Sequence, residues 1–236
     1  MKISLIIPAY NEEKYIGDCL KSIEEYGKDF FEVIVINNAS SDNTARVASN
    51  FPFVRVVDQP QKGLLWARQK GYEEGKGDIL AYIDSDCRIG PMWYENILKE
   101  FTKNKNLVSL SGPYKYYDLT SFENFQANIG WWISAPLTYR IVGYMVLGGN
   151  FAVKKEALDK IKGFNTGISF YGEDTDLARR LSPYGKVKFK MNFTINTSGR
   201  RLIKEGIFKT FIVYGLNYIW EVFFKKPLTK SHENIR

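Results

Sequence analysis

Short apolar runs alternate with helical patterns through the first part of the chain. Four runs of aliphatic and β-branched residues, each bounded by turn residues, predict buried strands. These runs are residues 2–8, 32–36, 53–57 and 78–83. Apolar residues at helical spacing predict helices that start near Asn11, Asn43 and Leu64. This order predicts an α/β fold with a doubly wound, mostly parallel sheet and helices on both faces, in which ligands bind at the carboxyl ends of the strands.

The pattern is less regular after Pro91. The predicted helices are 93–101, 121–133, 155–161 and 174–181, and the predicted strands are 107–112, 146–153 and 187–190. Residues 203–224 form a long apolar helical pattern that charged residues interrupt. Those charges argue against a membrane span and favour an interfacial helix beside anionic lipid. Packing of this helix against the rest of the chain, or against a second subunit of a homodimer, is the alternative.

Charge narrows the classes of partner. The net charge is +7, and residues 200–236 contribute most of it, with eight Lys or Arg against three Glu. A basic, aromatic-rich end favours membrane headgroups or a phosphorylated ligand. Nucleic acid is not an expected partner, because the chain has no recognised nucleic-acid motif. The first apolar run is too short for a secretory signal, so we expect a cytoplasmic protein. If the tail binds lipid, the protein would be peripheral on the inner face of the cell membrane.

Histidine and cysteine are too scarce for several kinds of chemistry. Cys19 and Cys87 are too few for a disulfide framework. His232 is the one histidine, which excludes a Ser-His-Asp triad, an HExxH site and a zinc finger. Any general base must therefore be a carboxylate, a lysine or a tyrosine.

The sharpest local feature is Asp84-Ser85-Asp86 at the end of the fourth predicted strand. Strand residues have period 2, so the side chains of Asp84 and Asp86 are expected to point the same way. Two carboxylates at the mouth of a parallel sheet can hold Mg²⁺ or Mn²⁺ and leave open positions for phosphate oxygens. A solvated turn after the strand is the alternative interpretation.

Six motifs, in this order and spacing, resemble those of inverting family 2 glycosyltransferases with the GT-A fold. They are residues 6–13, 35–44, 62–68, 77–86, 148–150 and 172–177. The resemblance runs from residue 3 to about residue 182 and is specific for the family but not for a substrate. It implies a nucleotide-diphosphate sugar as donor, a divalent metal on the diphosphate, and an acceptor hydroxyl. The basic apolar tail and family analogy favour a lipid-linked or cell-envelope glycan as acceptor.

The resemblance implies a donor site made from the end of the first strand, the loop after the second, the third helix and the aspartate pair. Its residues are Pro8, Ala9, Tyr10, Glu12, Asn37, Asn38, Ser40, Lys62, Arg68, Asp84 and Ser85. Lys62 and Arg68 are expected to contact phosphate or to pair with Asp84, although a solvated charge is the alternative for Lys62. Many family members carry two aspartates where this chain has Asn37 and Asn38, which leaves the base of the nucleotide open.

The acidic motif at residues 172–177 implies the catalytic base of the family. The acceptor hydroxyl must lose a proton as it attacks the anomeric carbon. We assign the base to Asp174 and the orientation of the acceptor to Glu173, and we treat Asp176 as a surface residue of the helix. The alternative is that these carboxylates only complement the N-terminus of the helix.

Further residues are expected on the acceptor side. Gly149 and Asn150 would back the acceptor pocket, with a bulge as the alternative. Trp132 would stack on a sugar or lipid, with core packing as the alternative. Arg200 and Arg201 suit bidentate phosphate contact, on the donor diphosphate or on a lipid phosphate. A basic helix start facing anionic lipid explains the two arginines equally well.

These patterns predict a domain at residues 1–198, followed by a basic apolar helix and tail at 199–236. Residues 1–113 would bind the nucleotide sugar and residues 114–198 the acceptor. A sugar-phosphate nucleotidyltransferase on a similar fold is the rival enzyme, but residues 8–13 are not the glycine-rich loop that it needs. A glycan-binding or membrane scaffold protein is the rival without activity, and it would be expected to lose Asp86 or Asp174.

Overall fold

A seven-stranded sheet runs through the middle of the molecule. The computed structural model describes residues 1–168 and 172–224. The strands of this sheet are β1 (Ile3–Ala9), β2 (Glu32–Asn37), β3 (Val54–Asp58), β4 (Ile79–Ile83), β5 (Leu107–Ser111), β7 (Asn150–Lys154) and β8 (Lys186–Phe189), in the order β3-β2-β1-β4-β7-β5-β8. All neighbours pair in parallel except β7, which is antiparallel to both β4 and β5. The predicted mostly parallel, doubly wound sheet is confirmed.

Helices cover both faces of the sheet. They are α1 (Ile16–Tyr26), α2 (Thr44–Ser49), α3 (Leu64–Glu74), α4 (Trp93–Lys103), α5 (Ser121–Val142), α6 (Lys155–Ile161), α7 (Glu173–Leu181), α8 (Arg200–Glu205) and α9 (Ile207–Phe224). Successive side chains of β1 enter two different cores: Leu5 and Ile7 lie in the core with α1 and α4, whereas Ile6 lies in the core with α3 and α6. A strand that is buried on both faces has an uninterrupted apolar sequence, which is why β1 was predictable from its residues.

The sheet reverses its direction of growth between β1 and β4. The chain passes from β1 to β2 and β3 on one side, and then returns to place β4 on the other side of β1. The carboxyl ends of these two neighbouring strands therefore open into a crevice, where ligands bind in folds of this kind. Residues 10–13 follow β1 there and residues 84–86 follow β4.

A second layer closes this edge of the sheet. The short strands β6 (Tyr114–Tyr116) and β9 (Ile195–Thr197) pair in parallel, and neither is indicated by the apolar pattern. α8 and α9 pack beside α5, where Leu202 of α8 meets Leu119 and Ala127. Arg200, at the start of α8, is thus brought back to the strand ends, beside Glu12 and Asp86.

Several predicted boundaries are wrong for identifiable reasons. Asn11 does not begin a helix, because it has φ 53° and its side chain accepts a hydrogen bond from the Ser41 N–H, so α1 starts only at Ile16. The helix predicted at 121–133 continues through Pro136 to Val142. The pattern at 203–224 is broken at Gly206, whose φ of 88° ends α8.

The last helix packs against the protein, as the alternative to an interfacial helix anticipated. α9 lies against α5 and α7, and the Tyr218 hydroxyl donates to the Tyr144 carbonyl at 2.8 Å. Among the residues that the structure describes, we find no helix with the length and apolarity that crossing a bilayer requires. Lys225 and Lys226, which belong to the basic end at residues 200–236, lie outside the described residues.

Candidate active site

The crevice between β1 and β4 contains the first of two acidic clusters. Asp84, Ser85 and Asp86 follow β4 directly, and Ser85 is buried. The carboxylate of Asp86 accepts a hydrogen bond from the Thr197 hydroxyl at 3.2 Å and lies 3.0 Å from a nitrogen of Arg200. Burial and the neighbouring Asp84 raise the pKa of Asp86 to about 7, against the opposing effect of Arg200. Burial first and the neighbouring carboxylate second therefore disfavour the ionised form of Asp86.

Arg200 connects the carboxyl-terminal part of the chain to the loop after β1. Its guanidinium donates to both carboxylate oxygens of Glu12, at 2.7 and 3.1 Å, and lies 4.4 Å from the centre of the Tyr15 ring. Glu12 is buried, and the bidentate geometry is the strong form of this pair. The structure thus brings together Glu12, Asp86 and Arg200, three residues that we assigned to the site from separate motifs.

The second acidic cluster lies at the start of α7. The Asp174 carboxylate accepts from Arg68 at 3.0 Å and from the Gly148 N–H at 2.7 Å. Arg68 is 2% exposed, and its ion-pair partner is Asp174 rather than the expected Asp84. Asp84 is nevertheless near enough to raise the pKa of Arg68 together with Asp174, and the contact of Arg68 with phosphate stays a prediction. Burial raises the pKa of both Glu173 and Asp174, Glu173 to about 7, while Arg68 acts to lower both.

Two consecutive glycines join the clusters. A Cβ atom on Gly148 would collide with Arg68 and with the Asp174 carboxylate, and one on Gly149 would collide with the Asp84 carboxylate. Only glycine allows this close approach of backbone to charged side chains. The carboxylate assigned to the donor and the carboxylate assigned to the acceptor therefore lie beside neighbouring residues of one short segment.

Asn150 has a structural position that the sequence analysis did not anticipate. It is fully buried, its amide group donates to the carbonyls of Gly112 and Phe193 at 3.0 and 2.7 Å, and its oxygen accepts from Trp93 at 3.0 Å. These bonds leave Asn150 no exposed surface, so it can back the acceptor pocket only from within the core and not by touching an acceptor. It anchors the first residue of β7 and so fixes the preceding Gly148-Gly149 segment.

Asp176 is likewise not a surface residue. It is 4% exposed and pairs with Arg179 and Arg180 on its own helix. The sequence pattern did not reveal this, because three acidic residues in one helical turn look alike until the neighbouring elements are in place.

The predicted base-contacting residues hold the loops of the crevice in shape. Asn38 is buried and bonds the carbonyls of Gln59 and Gln61 and the N–H of Gly63. These bonds occupy the Asn38 amide on both sides, so this side chain holds the loops after β2 and β3 together. Asn37 donates to the Asp58 carboxylate at 2.7 Å.

The remaining predicted donor residues lie at the same edge of the sheet. The backbone of Pro8 and Ala9 belongs to β1. The Lys62 ammonium donates to the Tyr10 hydroxyl at 2.7 Å, so the loop before α3 reaches the loop after β1. The Ser40 hydroxyl accepts from the Asn11 N–H at 3.1 Å. These contacts bring together three segments that were predicted separately.

A cleft of about 260 Å³ lies on the side of β6 that includes Tyr114. Its lining includes Tyr114, Lys115, Asn128, Trp131 and Trp132. Trp132 is 70% exposed, which excludes the alternative of core packing for this side chain. Arg201, which follows Arg200 on α8, is half-buried.

Tyr114 is a site residue that the sequence analysis missed. Its hydroxyl accepts from the Gly149 N–H at 2.9 Å, and burial together with the nearby Asp84 and Asp174 carboxylates raises its pKa. Tyr114 thus forms a wall shared by the cleft and the acidic clusters. The alternation of Tyr114, Lys115 and Tyr116 was the signal for a short strand, but three residues are too few to distinguish from a loop.

The donor set fits a hard divalent cation whose coordination is completed by ligand oxygens. Among the described residues, no three His, Cys, Asp or Glu side chains group as a metal site. Mg²⁺ is commonly held by one or two carboxylates plus substrate phosphates, and Mn²⁺ takes the same oxygen ligands. Asp84 and Asp86 supply such a pair of carboxylates after β4.

The comparisons with known proteins agree with this geometry. The sequence model described as glycosyl transferase family 2 matches residues 4–162, which include all of β1 but its first residue, the aspartate pair and the two glycines. The chain belongs to glycosyl transferase family 2. A second model, described as the N-terminal domain of galactosyltransferase, matches residues 133–197 of this family member. The resemblance inferred from the six motifs is therefore confirmed.

Curated relatives of this family member are glycosyltransferases. Glycosyltransferase AglE of Haloferax volcanii is 36% identical over 100 residues, which cover 39% of this chain and 33% of the relative. An uncharacterised glycosyltransferase of Haemophilus influenzae is 26% identical over 199 residues, which cover 80% of this chain and 65% of the relative. The matches to the first three curated relatives span about a third to a half of the relatives' own length.

Solved structures with the GT-A fold superpose on most of the chain. The mannosyltransferase PcManGT from Pyrobaculum calidifontis, in complex with GDP-Man and Mn²⁺, has a TM-score of 0.71 at 17% identity and covers 95% of this chain and 63% of its own. Glucosyl-3-phosphoglycerate synthase from Mycobacterium tuberculosis, with Mn²⁺, UDP and phosphoglyceric acid, has a TM-score of 0.68 at 19% identity and covers 95% and 78%. At these identities the likeness shows the shared fold.

Proposed function

We propose that this chain is a metal-dependent, inverting glycosyltransferase that moves a sugar from a nucleotide-diphosphate donor to an acceptor hydroxyl. The observation that carries the proposal is the Gly148-Gly149 segment, which holds Asp84 on one side and Asp174 on the other. A transferase needs a group that binds the leaving diphosphate and a separate base for the acceptor, both within reach of one anomeric carbon. Two carboxylates of different environment beside one short segment meet that need.

The donor side of the proposal uses the crevice between β1 and β4. Asp84 and Asp86 would hold a divalent cation, Mg²⁺ or Mn²⁺, which when bound supplies positive charge to the leaving diphosphate. The loops after β1 and β2 would hold the nucleoside. Two structures with the same fold were solved with Mn²⁺ and a nucleotide or nucleotide sugar, which supports the assignment of this crevice to the donor.

The acceptor side uses the second cluster. The acceptor oxygen forms a bond to the anomeric carbon while the bond from that carbon to the diphosphate oxygen breaks. The electron pair leaves with the nucleoside diphosphate, and the proton of the acceptor passes to a carboxylate oxygen of Asp174. Arg68 and the Gly148 N–H orient that carboxylate, and Glu173 beside it orients the acceptor. A single displacement of this kind inverts the anomeric carbon.

The acceptor that we propose is a lipid-linked or cell-envelope glycan. Support for it comes from the aromatic cleft beside Tyr114, because Trp rings stack on sugar faces. Support also comes from the basic residues that follow position 199. Such an enzyme would act on the cytoplasmic side of the membrane.

The test is a thermal-shift screen of nucleotide sugars, each with Mn²⁺, with Mg²⁺ and with a chelator. A bound donor stabilises the folded chain in proportion to the logarithm of its concentration relative to Kd. We expect one nucleotide class to raise Tm only with a divalent cation, and Asp84→Asn and Asp86→Asn to lose that shift. Asp176→Asn, an acidic residue outside both clusters, is the matched control and should keep it. An equal shift in chelator, or in Asp86→Asn, would contradict the metal role.

A further inference from the structure

The helix α5 carries apolar residues on two opposite sides. Its inner side packs on the protein, where Ala127 and Ala135 are fully buried and Ala127 clusters with Leu119 and Leu202. Between positions 122 and 133, five large apolar residues of the same helix are exposed instead. They are Phe122, Phe125, Ile129, Trp132 and Ile133, which we call the outer face of α5.

The outer face is a continuous stripe. At about 100° per residue, its five side chains fall within an arc of about 100° whose centre is opposite Ala127. Phe122, Trp132 and Ile133 are 69, 70 and 65% exposed, so the face is uncovered over about three helical turns. A helix that is apolar all round is normally buried or lies against lipid, because a surface helix needs only one apolar side. Exposed apolar residues in a row, unlike scattered ones, mark a contact site.

The charges around the outer face are positive. Arg140 is exposed on the same side of α5, about two turns beyond Ile133. Lys115 is exposed and lines the cleft together with Trp132. Glu123 is the one acidic residue in the sequence of α5, and it points away from the arc, toward the Thr120 cap that it bonds.

We propose that the outer face of α5 docks onto an anionic lipid bilayer. Phe and Trp rings are the side chains that enter the headgroup boundary, and flanking Arg and Lys are attracted to anionic lipid. A second copy of the chain is a poorer occupant, because it would bring a molecule of net charge +7 against another of the same charge. The bilayer offers apolar depth and opposite charge together.

Docking in this orientation places the acceptor cleft at the membrane surface. Asn128 and Trp132 belong to α5 and also line the cleft, and Tyr114 connects the cleft to Gly149 beside Asp84. A sugar attached to a lipid would therefore reach the acidic clusters without leaving the membrane. This consequence rests on the proposed function, whereas the membrane contact itself does not.

The test is co-sedimentation of the full chain with vesicles of phosphatidylcholine, with or without about 30% phosphatidylglycerol, at low and at physiological salt. The variant is Phe122→Ser with Phe125→Ser, and the matched control is Ile141→Ser, which removes a side chain of 73% exposure from another side of the same helix. We expect the parent and Ile141→Ser to bind anionic vesicles, more weakly as salt rises, and the double variant to bind at least about ten-fold more weakly. Circular dichroism and the Mn²⁺-dependent thermal shift by nucleotide sugar should be equal in all three proteins.

Three outcomes would overturn the proposal. One is equal binding by the double variant and the parent, and another is no binding by the parent. The third is light scattering that shows a parent dimer, a monomeric double variant and no vesicle binding by either, which would assign the outer face to a second copy. If the parent shows no nucleotide-dependent thermal shift, that result would instead count against the proposed function. Failure of the membrane contact and failure of the proposed function are therefore distinguishable.

Discussion

The substitution Asp174→Asn tests whether Asp174 acts as the catalytic base or has only a structural role. In the folded protein, one Asp174 oxygen accepts from Arg68 and the other from the Gly148 N–H. Asparagine has nearly the same shape, but it keeps only one acceptor oxygen and no charge. The change therefore removes one hydrogen bond and the counter-charge of a guanidinium that is 2% exposed.

The size of the structural effect follows from that environment. Breaking a fully buried ion pair costs about 3–5 kcal/mol, but the Asp174 side chain is 25% exposed, so water compensates in part. We expect the free energy of unfolding to fall by about 2 kcal/mol, which for a chain of this length lowers Tm by about 4–8 °C. The variant stays folded at room temperature. Loss of a general base lowers turnover by about 10²–10⁴-fold, which a stability change of this size cannot produce in a folded enzyme.

The assay measures release of nucleoside diphosphate from the donor that the thermal-shift screen identifies, together with donor Kd on the same sample. Asp176→Asn is the matched control, since Asp176 lies on the same helix and is also paired with arginines. We expect both variants to be destabilised and only Asp174→Asn to lose turnover, with donor Kd within about two-fold of the parent. Parallel loss of donor affinity and turnover, or a turnover of Asp174→Asn near that of the parent, would refute the assignment of the base.

Three further predictions use other contacts of the site. Gly149→Ala should weaken Mn²⁺-dependent nucleotide binding at least about ten-fold, because the new methyl group collides with the Asp84 carboxylate. Gly215→Ala is its control, since a Cβ there meets nothing within 4 Å, and equal binding by the two would contradict the steric argument. In the absence of nucleotide, Arg200→Gln should bind Mn²⁺ several-fold more tightly than the parent, because the guanidinium no longer competes with the cation for the carboxylates. Electron paramagnetic resonance of Mn²⁺ measures this affinity, and an affinity equal to that of the parent would refute the prediction. Burial raises the pKa of Glu173 from 4.5 to about 7, so its protonated form favours the fold below pH 4.5 and this contribution disappears as the pH rises through 7. Urea midpoints measured across that range should fall less in Glu173→Gln than in the parent, and parallel curves would contradict the shift.

Local sequence carried enough information for the central strands and for the family. Each of β1, β2 and β4 is buried on both faces, so its residues form an apolar run. A helix on the protein surface would instead mix apolar and polar residues at helical spacing. The bounds predicted for α3 and α6 agree with the structure, because Gly63 and Lys162 end the helical backbone at one end of each pattern. The six motifs then identified glycosyl transferase family 2, since their order along the chain is a property of sequence alone.

The contacts that make the site depended on the tertiary structure. Arg200 meets Glu12 across 188 residues, and Arg68 meets Asp174 across 106. A local pattern reports which residues are apolar and at what spacing, but it contains no information on which distant side chain becomes a neighbour. The motif therefore indicated phosphate or Asp84 as the partner of Arg68, whereas the tertiary fold, which brings α3 and α7 together, pairs it with Asp174.

The difference between local pattern and tertiary contact also explains why the positions of Asn150, Asp176 and the outer face of α5 were not predicted. Asparagine after two glycines looks like a turn or a ligand contact, and only the antiparallel insertion of β7 between β4 and β5 buries its amide against three partners. Asp176 acquires its burial from the elements packed around α7. In α5, apolar residues occur all around the helix, so its sequence indicates no preferred side. Which side faces solvent was decided by the packing of α8 on Ala127, because burial of one side of a helix leaves the opposite side exposed.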